Sequence, residues 1–177
     1  MANSEHVELL GQGVATWNQW REDRTDIRPD LRGADLRNAT LAGVNLRAAD
    51  LPATILTQAD LRHADLRHAY LCGTNFSEAN LKGANLCGAD LGGANLRRAA
   101  LERADLSRTD LRSALLYEAD LHNANLGDAD LRSALLHRVC NVEIAQLATV
   151  KTLYLTELDE LMELVEATCP RLLQAPV

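Results

Sequence analysis

From Leu31 to Leu136 a bulky apolar residue returns every five positions. The run holds 22 consecutive positions in one frame, 21 of them leucine and one Phe76. Two residues before most of them stands a small side chain, as at Ala34, Ala39, Ala49, Ala59 and Ala64, and the residue between is usually Asp or Asn. A period of five fits neither the helical repeat of about 3.6 nor the alternation of a strand. It is a solenoid period. If each unit forms one side of a coil and ends in a turn, the leucine and the small residue two before it both face the axis, as alternate residues of a strand share a face. A narrow interior filled by one large and one small side chain per side tolerates little variation, which accounts for the monotony of leucine.

The flanks follow another rhythm. Val7, Leu10, Val14 and Trp17 lie on one helical face, predicting a helix over residues 4–22 with Asn3 or Ser4 as its cap, although Gly11 and Gly13 fall inside it. Trp17 and Trp20, the only tryptophans, read as the packed side of a lid over the first coil; a ligand-stacking pair is the alternative. Residues 23–30 form a polar connector, in which Pro29 cannot continue a helix. Beyond Arg138 the repeat fades. Asn141 is placed to cap a short helix from Val142 to about Thr149. A second helix is expected from Thr156, with Thr156 and Asp159 as a capping pair and Leu158, Leu161, Met162 and Val165 as its apolar face. The expected organisation is a helical cap and connector over 1–30, a repeat over 31–140 and a helical segment over 141–177.

Composition narrows the classes. Six aromatic residues in 177 exclude an ordinary mixed core, so leucine and alanine must build it. No apolar run is long enough to span a bilayer, and the first residues lack a basic start followed by an apolar stretch; the expected location is the cytoplasm. The net charge of −7 belongs to the ends: residues 1–30 carry −3 and residues 139–177 carry −4, while residues 31–138 balance 13 basic against 13 acidic side chains. No basic patch argues for nucleic acid or an anionic membrane. Cys72, Cys87, Cys140 and Cys169 form no CxxC pair and read as free thiols. His63 and His68 are one unit apart, so they would sit on successive sides of the coil and diverge, and no metal site is expected. Phosphate-loop, nucleophile-elbow and zinc-protease motifs are absent from the chain, and neither a cofactor nor an enzymatic activity is expected.

The units ADLRN, ADLRH, ANLKG, ANLCG and ADLGG resemble the pentapeptide repeat family, whose pattern is A(D/N)LXX. The resemblance covers about 108 residues without a frame break. It implies an all-β solenoid, a right-handed quadrilateral β-helix of four units per coil and about 5.5 coils, here with α-helical N- and C-terminal segments. Residues 20 apart would then stack in columns. The Asp and Asn positions are read as corner residues that hydrogen-bond nearby backbone.

Departures at that polar position are more telling: Thr40, Ile55, Tyr70, Ala100, Leu115 and Leu135. Leu115 and Leu135 fall in one column, with Tyr117 beside the first, and make an outward apolar patch near the C-terminal end. With Trp17 and Trp20 they are the candidates for protein contact or cap docking. The expected arrangement has the C-terminal segment covering the open end, docked on or near Leu115, Tyr117 and Leu135; a homodimer through this end is the alternative. The expected function is a non-catalytic scaffold or protein–protein interaction module with an unknown protein partner. The helical N-terminal extension resembles that of bacterial, often cyanobacterial, family members. Some members act as DNA mimics that inhibit a type II topoisomerase (gyrase). That is the alternative function, from which this sequence departs in having a short, neutral repeat.

Overall fold

The computed structural model describes residues 2–159 and 161–175. Its core is a ladder of parallel bridges, each joining a residue to the one 20 positions on, from Asp30↔Asp50 through Leu115↔Leu135 to Asp120↔Cys140. Twenty residues are four five-residue units, so the coil has four sides. Each side contributes a single bridged residue, so among the described residues the β structure of the solenoid consists of isolated parallel bridges and contains no extended strand. The reason lies in the period, because a turn every five residues leaves no length for a strand.

Backbone accounting explains the unit. In the unit centred on Leu31, the Leu31 N–H donates to Asp50 O (2.8 Å) and the Gly33 N–H to Pro52 O (3.0 Å), both in the next coil. The Ala34 N–H closes the turn on Leu31 O (3.0 Å). The bridging N–H points back a coil, as Asp50 does to Pro29 O (2.8 Å). One N–H per unit remains, and the Asp or Asn side chain two residues earlier accepts it, as Asp30 Oδ1 does from Arg32 (3.2 Å). The corner-residue expectation is therefore met: the polar column completes the backbone. The second turn residue of every unit from Gly33 to Arg138 has φ between 54° and 72°, glycine at some corners and Arg, His, Glu or Ser at others. A non-glycine residue there costs about 1–2 kcal/mol, which the ladder offsets.

Inside, the central leucines and the small residues before them are buried, as Leu86 and Ala84 are. Thr54 and Thr74 are buried too, and their hydroxyls donate to Leu31 O (2.8 Å) and Leu51 O (2.6 Å).

At the N-terminal end, α1 (Ser4–Gly11) and α2 (Val14–Asp23) replace the single helix expected over 4–22. Gly13, at φ 109°, breaks it. Asn3 caps α1 by accepting from the Glu5 N–H (2.9 Å). The lid closes the first coil with side chains that act as backbone. Asn18 accepts the Asn45 N–H (2.8 Å), as a carbonyl of a preceding coil would, and also donates to Gly43 O (3.0 Å).

At the other end, α3 (Ile144–Leu147) interrupts the ladder, which then resumes two residues out of step with Asp130↔Thr152 and Leu135↔Glu157. Leu153 and Leu158 are five apart and buried, with Thr156 buried at the small position. The helix expected from Thr156 instead begins at Leu161, as α4 (Leu161–Thr168), followed by the 3-10 turn α5 (Pro170–Leu173). The intended capping pair is part of a repeat unit. Leu147, Val150, Val165 and Leu172 close this end of the core, and Gln146 Nε2 donates to Leu121 O (2.9 Å) and Ala124 O (2.8 Å).

Candidate protein-contact surface

The ladder's carboxylates are largely engaged within the tower. Wherever Asp-Leu-Arg occurs, the arginine folds back onto the aspartate: Arg32 on Asp30 (2.7 Å), Arg37 on Asp35, Arg62 on Asp60 and Arg67 on Asp65 (2.6 Å each), Arg112 on Asp110 and Arg132 on Asp130 (2.5 Å each). The Arg32 fork holds the Asp30 carboxyl at about 2. Asp35 and Asp60 are lowered by Arg37 and Arg62. Burial pushes Asp65, Asp110 and Asp130 upward, and their arginines outweigh it. A second set of charges runs along one corner: Arg98 bonds Glu118 (2.8 Å), and Glu118 lies 3.5 Å from Arg138. The surface is a lattice of matched charges.

Leu115 and Leu135 are bridged neighbours in one column, as expected, and both are half-buried. Tyr117 stands at the turn that follows Leu115, and its hydroxyl accepts from Arg138 Nη1 (2.9 Å). Trp17 and Trp20 lie at the other end, in α2. Trp17 is fully buried and its Nε1–H donates to Asn45 O (2.8 Å). Trp20 leans on Trp17 and on His6, with ring centroids 5.1 Å apart in each case. The structure thus pairs Leu115 with Leu135, turns the Tyr117 hydroxyl toward Arg138, and places the tryptophans in α2 at the other end.

The C-terminal segment closes the axial end of the core and meets this column at the Leu135↔Glu157 bridge, while Leu115 and Tyr117 are half-buried. Asp159 accepts from the His137 ring at Nδ1 and from the Arg138 N–H (2.8 Å), while Glu157 takes the opposite ring nitrogen (2.5 Å). Hydrogen bonding to Asp159 and then to Glu157 raises the His137 pKa. Because the two carboxylates flank opposite edges of the ring, this trio is a clamp and does not converge on one point. Among the described residues no group of three or more His, Cys, Asp or Glu is placed to hold a metal ion. A cavity of about 370 Å³ lies beside the clamp, between Leu136, Val139, Val142, Leu158 and Leu161.

Two exposed apolar residues escaped the sequence reading as contact candidates: Tyr70, 47% exposed, and Leu155, 64% exposed. Tyr70 stands at a polar ladder position, which was a visible signal. Leu155 lay hidden because the repeat around it is out of frame. Thr152, Leu155 and Glu157 follow one another round the coil, so the Leu155 corner joins the Tyr70 ladder to that of Leu115 and Leu135. A shallow groove runs along this corner from Cys72 past Gly92, Ser113 and Ser133 to Tyr154 and Leu155. Burial and the adjacent Asp90 push the Cys72 thiol up to about 11.

No helix among the described residues is long and apolar enough to cross a membrane. No protein of curated function matches the chain. Among solved structures, a pentapeptide repeat protein of the cyanobacterium Cyanothece 51142 is 33% identical over 66% of this chain and 65% of its own, with a TM-score of 0.39. A pentapeptide repeat protein of the Arabidopsis thaliana thylakoid lumen is 31% identical over 59% of this chain and 63% of its own, with a TM-score of 0.35. The chain thus spans less than two thirds of either. A plasmid-mediated fluoroquinolone resistance protein is 14% identical over 80% of this chain and 91% of its own, with a TM-score of 0.37. The family description "Pentapeptide repeats" matches residues 30–67, 54–93 and 94–132, more than half of the chain. With the five-residue unit and its 20-residue ladder, this makes the chain a member of the pentapeptide repeat family.

Proposed function

We propose that the protein is a non-catalytic interaction module that presents the corner of Leu155, with Leu115, Tyr117 and Leu135 on the adjoining face, to a protein partner. One observation carries this reading: the polar ladder is consumed by its own backbone and arginines, while Leu155 stands 64% exposed beside it. Apolar surface left outside so regular a lattice of matched charges marks a contact. The test is affinity capture with wild-type protein, Leu155→Asp and the double variant Leu115→Asp/Leu135→Asp. A partner retained by wild type and lost by either variant supports the reading; a partner set indifferent to all three substitutions overturns it.

The second reading, a DNA mimic acting on gyrase, needs exposed, unneutralised acid along the rod. The forked Asp–Arg pairs argue against it. A supercoiling assay is expected to run unchanged at low micromolar protein, and inhibition there would reverse this ranking.

A further inference from the structure

Arginines that directly follow a central leucine fall into two kinds. After Asp-Leu the guanidinium is forked onto its own carboxylate; after Asn-Leu the asparagine can accept only the backbone N–H. Arg47 and Arg97 are of the second kind: Asn45 Oδ1 accepts the Arg47 N–H and Asn95 Oδ1 the Arg97 N–H, each at 3.2 Å. Neither guanidinium has a carboxylate hydrogen bond among the described residues. Arg97 faces open solvent. Arg47 opens into a cleft of about 330 Å³ between the N-terminal lid and the first coils.

Arg21, Arg28, His68 and Tyr70 share that cleft, with Asp26. Arg21 is fixed in place by two backbone carbonyls, Ile27 O (2.7 Å) and Arg47 O (3.0 Å). Its Nε–H is buried without an acceptor. Burial, and then the charge of Arg47, lower its pKa, so two like charges are held close together. Asp65, whose charge favours the Arg21 guanidinium, is itself occupied by Arg67 at 2.6 Å. Arg28 lies over the exposed Tyr70 ring, 4.1 Å from its centroid, and pairs with Asp50. Asp50 is available for this because the residue two after it is Pro52, which has no N–H to donate. Three arginines and a histidine therefore converge on a concavity in which Asp26 is the one carboxylate lining the wall. Planar guanidinium forks match the oxygens of phosphate.

We propose that this cleft binds the phosphate group of a small molecule, with the guanidinium of Arg47 as its principal ligand, Arg21 and Arg28 beside it, and His68 lining the same wall. The bound oxyanion sits between Arg21 and Arg47 and cancels their repulsion. Free phosphate and a phosphate monoester offer the same oxygens; a monoester would add contact with Tyr70 at the rim.

The probes are inorganic phosphate and adenosine monophosphate, titrated calorimetrically into the full chain at matched ionic strength. Thermal denaturation gives a second readout, since a ligand of the native state raises the midpoint. Saturable binding is expected for at least one probe. Arg47→Gln should weaken it by about tenfold or more and abolish the phosphate-dependent rise in midpoint, while Arg97→Gln should leave both as in wild type. Tighter binding of the nucleotide than of phosphate identifies a monoester site, and equal binding a site for phosphate itself; either supports the proposal. No saturation by either probe overturns it, as does binding that Arg47→Gln leaves intact or that Arg97→Gln weakens equally. Because both variants alter exposed guanidinium groups, their unliganded midpoints separate a folding defect from lost binding.

Discussion

The His63 ring lies against the backbone of Gly83 in the next coil, so close that a Cβ on Gly83 would meet Nδ1 at 2.7 Å. His68 and Gly88 repeat the arrangement at the same distance. Gly83 also has φ 66°. Gly83→Ala should therefore destabilise for two separable reasons, by about 1–2 kcal/mol from the left-handed backbone and by an added clash with the ring. In the background His63→Ala the clash should vanish and the backbone part remain, as chemical denaturation of the four proteins would read.

Core leucines should be far less forgiving. Leu86 is fully buried in a coil whose neighbours are held by backbone hydrogen bonds and cannot collapse inward. Leu86→Ala is expected to cost about 2–5 kcal/mol, measured by urea unfolding. A cost below about 1 kcal/mol would mean that the coils relax freely.

Acid should weaken the fold through the forked aspartates. Asp30 sits at about 2 against an ordinary 3.8, and Asp35, Asp60, Asp65, Asp110 and Asp130 are also lowered. A carboxyl depressed in the folded state contributes stability that is present above its unfolded value of about 3.9. That stability is lost as pH falls through the folded value. The urea midpoint should decline from about pH 4 downward, and Asp130→Asn should flatten the decline.

His137 acts in the opposite sense. Its raised pKa makes the clamp to Asp159 and Glu157 strongest below the ordinary value of 6.5, and the contribution fades as pH rises through the folded value. Proteolysis near residue 159 should quicken at alkaline pH in wild type. His137→Gln should remove this pH dependence.

The two ends carry matching devices, Asn18 over Gly43 and Asn45, and Gln146 over Leu121 and Ala124. Each amide occupies one group that would otherwise be an open ladder edge, the Asn45 N–H at one end and Ala124 O at the other. Asn18→Leu and Gln146→Leu should promote end-to-end association, seen as a concentration-dependent rise in light scattering. Monomers indifferent to both substitutions would show that the helices alone block the edges.

How much of this the sequence discloses depends on the distance over which each relation acts. The leucine column and the corner role of Asp and Asn are written in one unit and repeated, so they are legible. The break between α1 and α2 turns on the single backbone angle of Gly13, and helical periodicity runs straight through it. The unit holding Leu153 and Leu158 was hidden by a slip of two residues around α3, which also disguised Leu155. The cleft of Arg21, Arg47 and Tyr70 is assembled by packing the lid on coils 20 residues apart, and no local spacing reports it.

The 20-residue step has a geometric corollary. Inserting one whole coil between the ends would carry everything beyond it about 4.8 Å along the axis and leave every residue on its own side of the coil, so both ends would still meet their own seats. Inserting a single unit would swing the C-terminal clamp and the Leu155 corner by a quarter turn relative to the Arg47 cleft. The bearing of one end on the other is thus encoded in the number of units modulo four. A partner that grips both ends reads that remainder as well as the length.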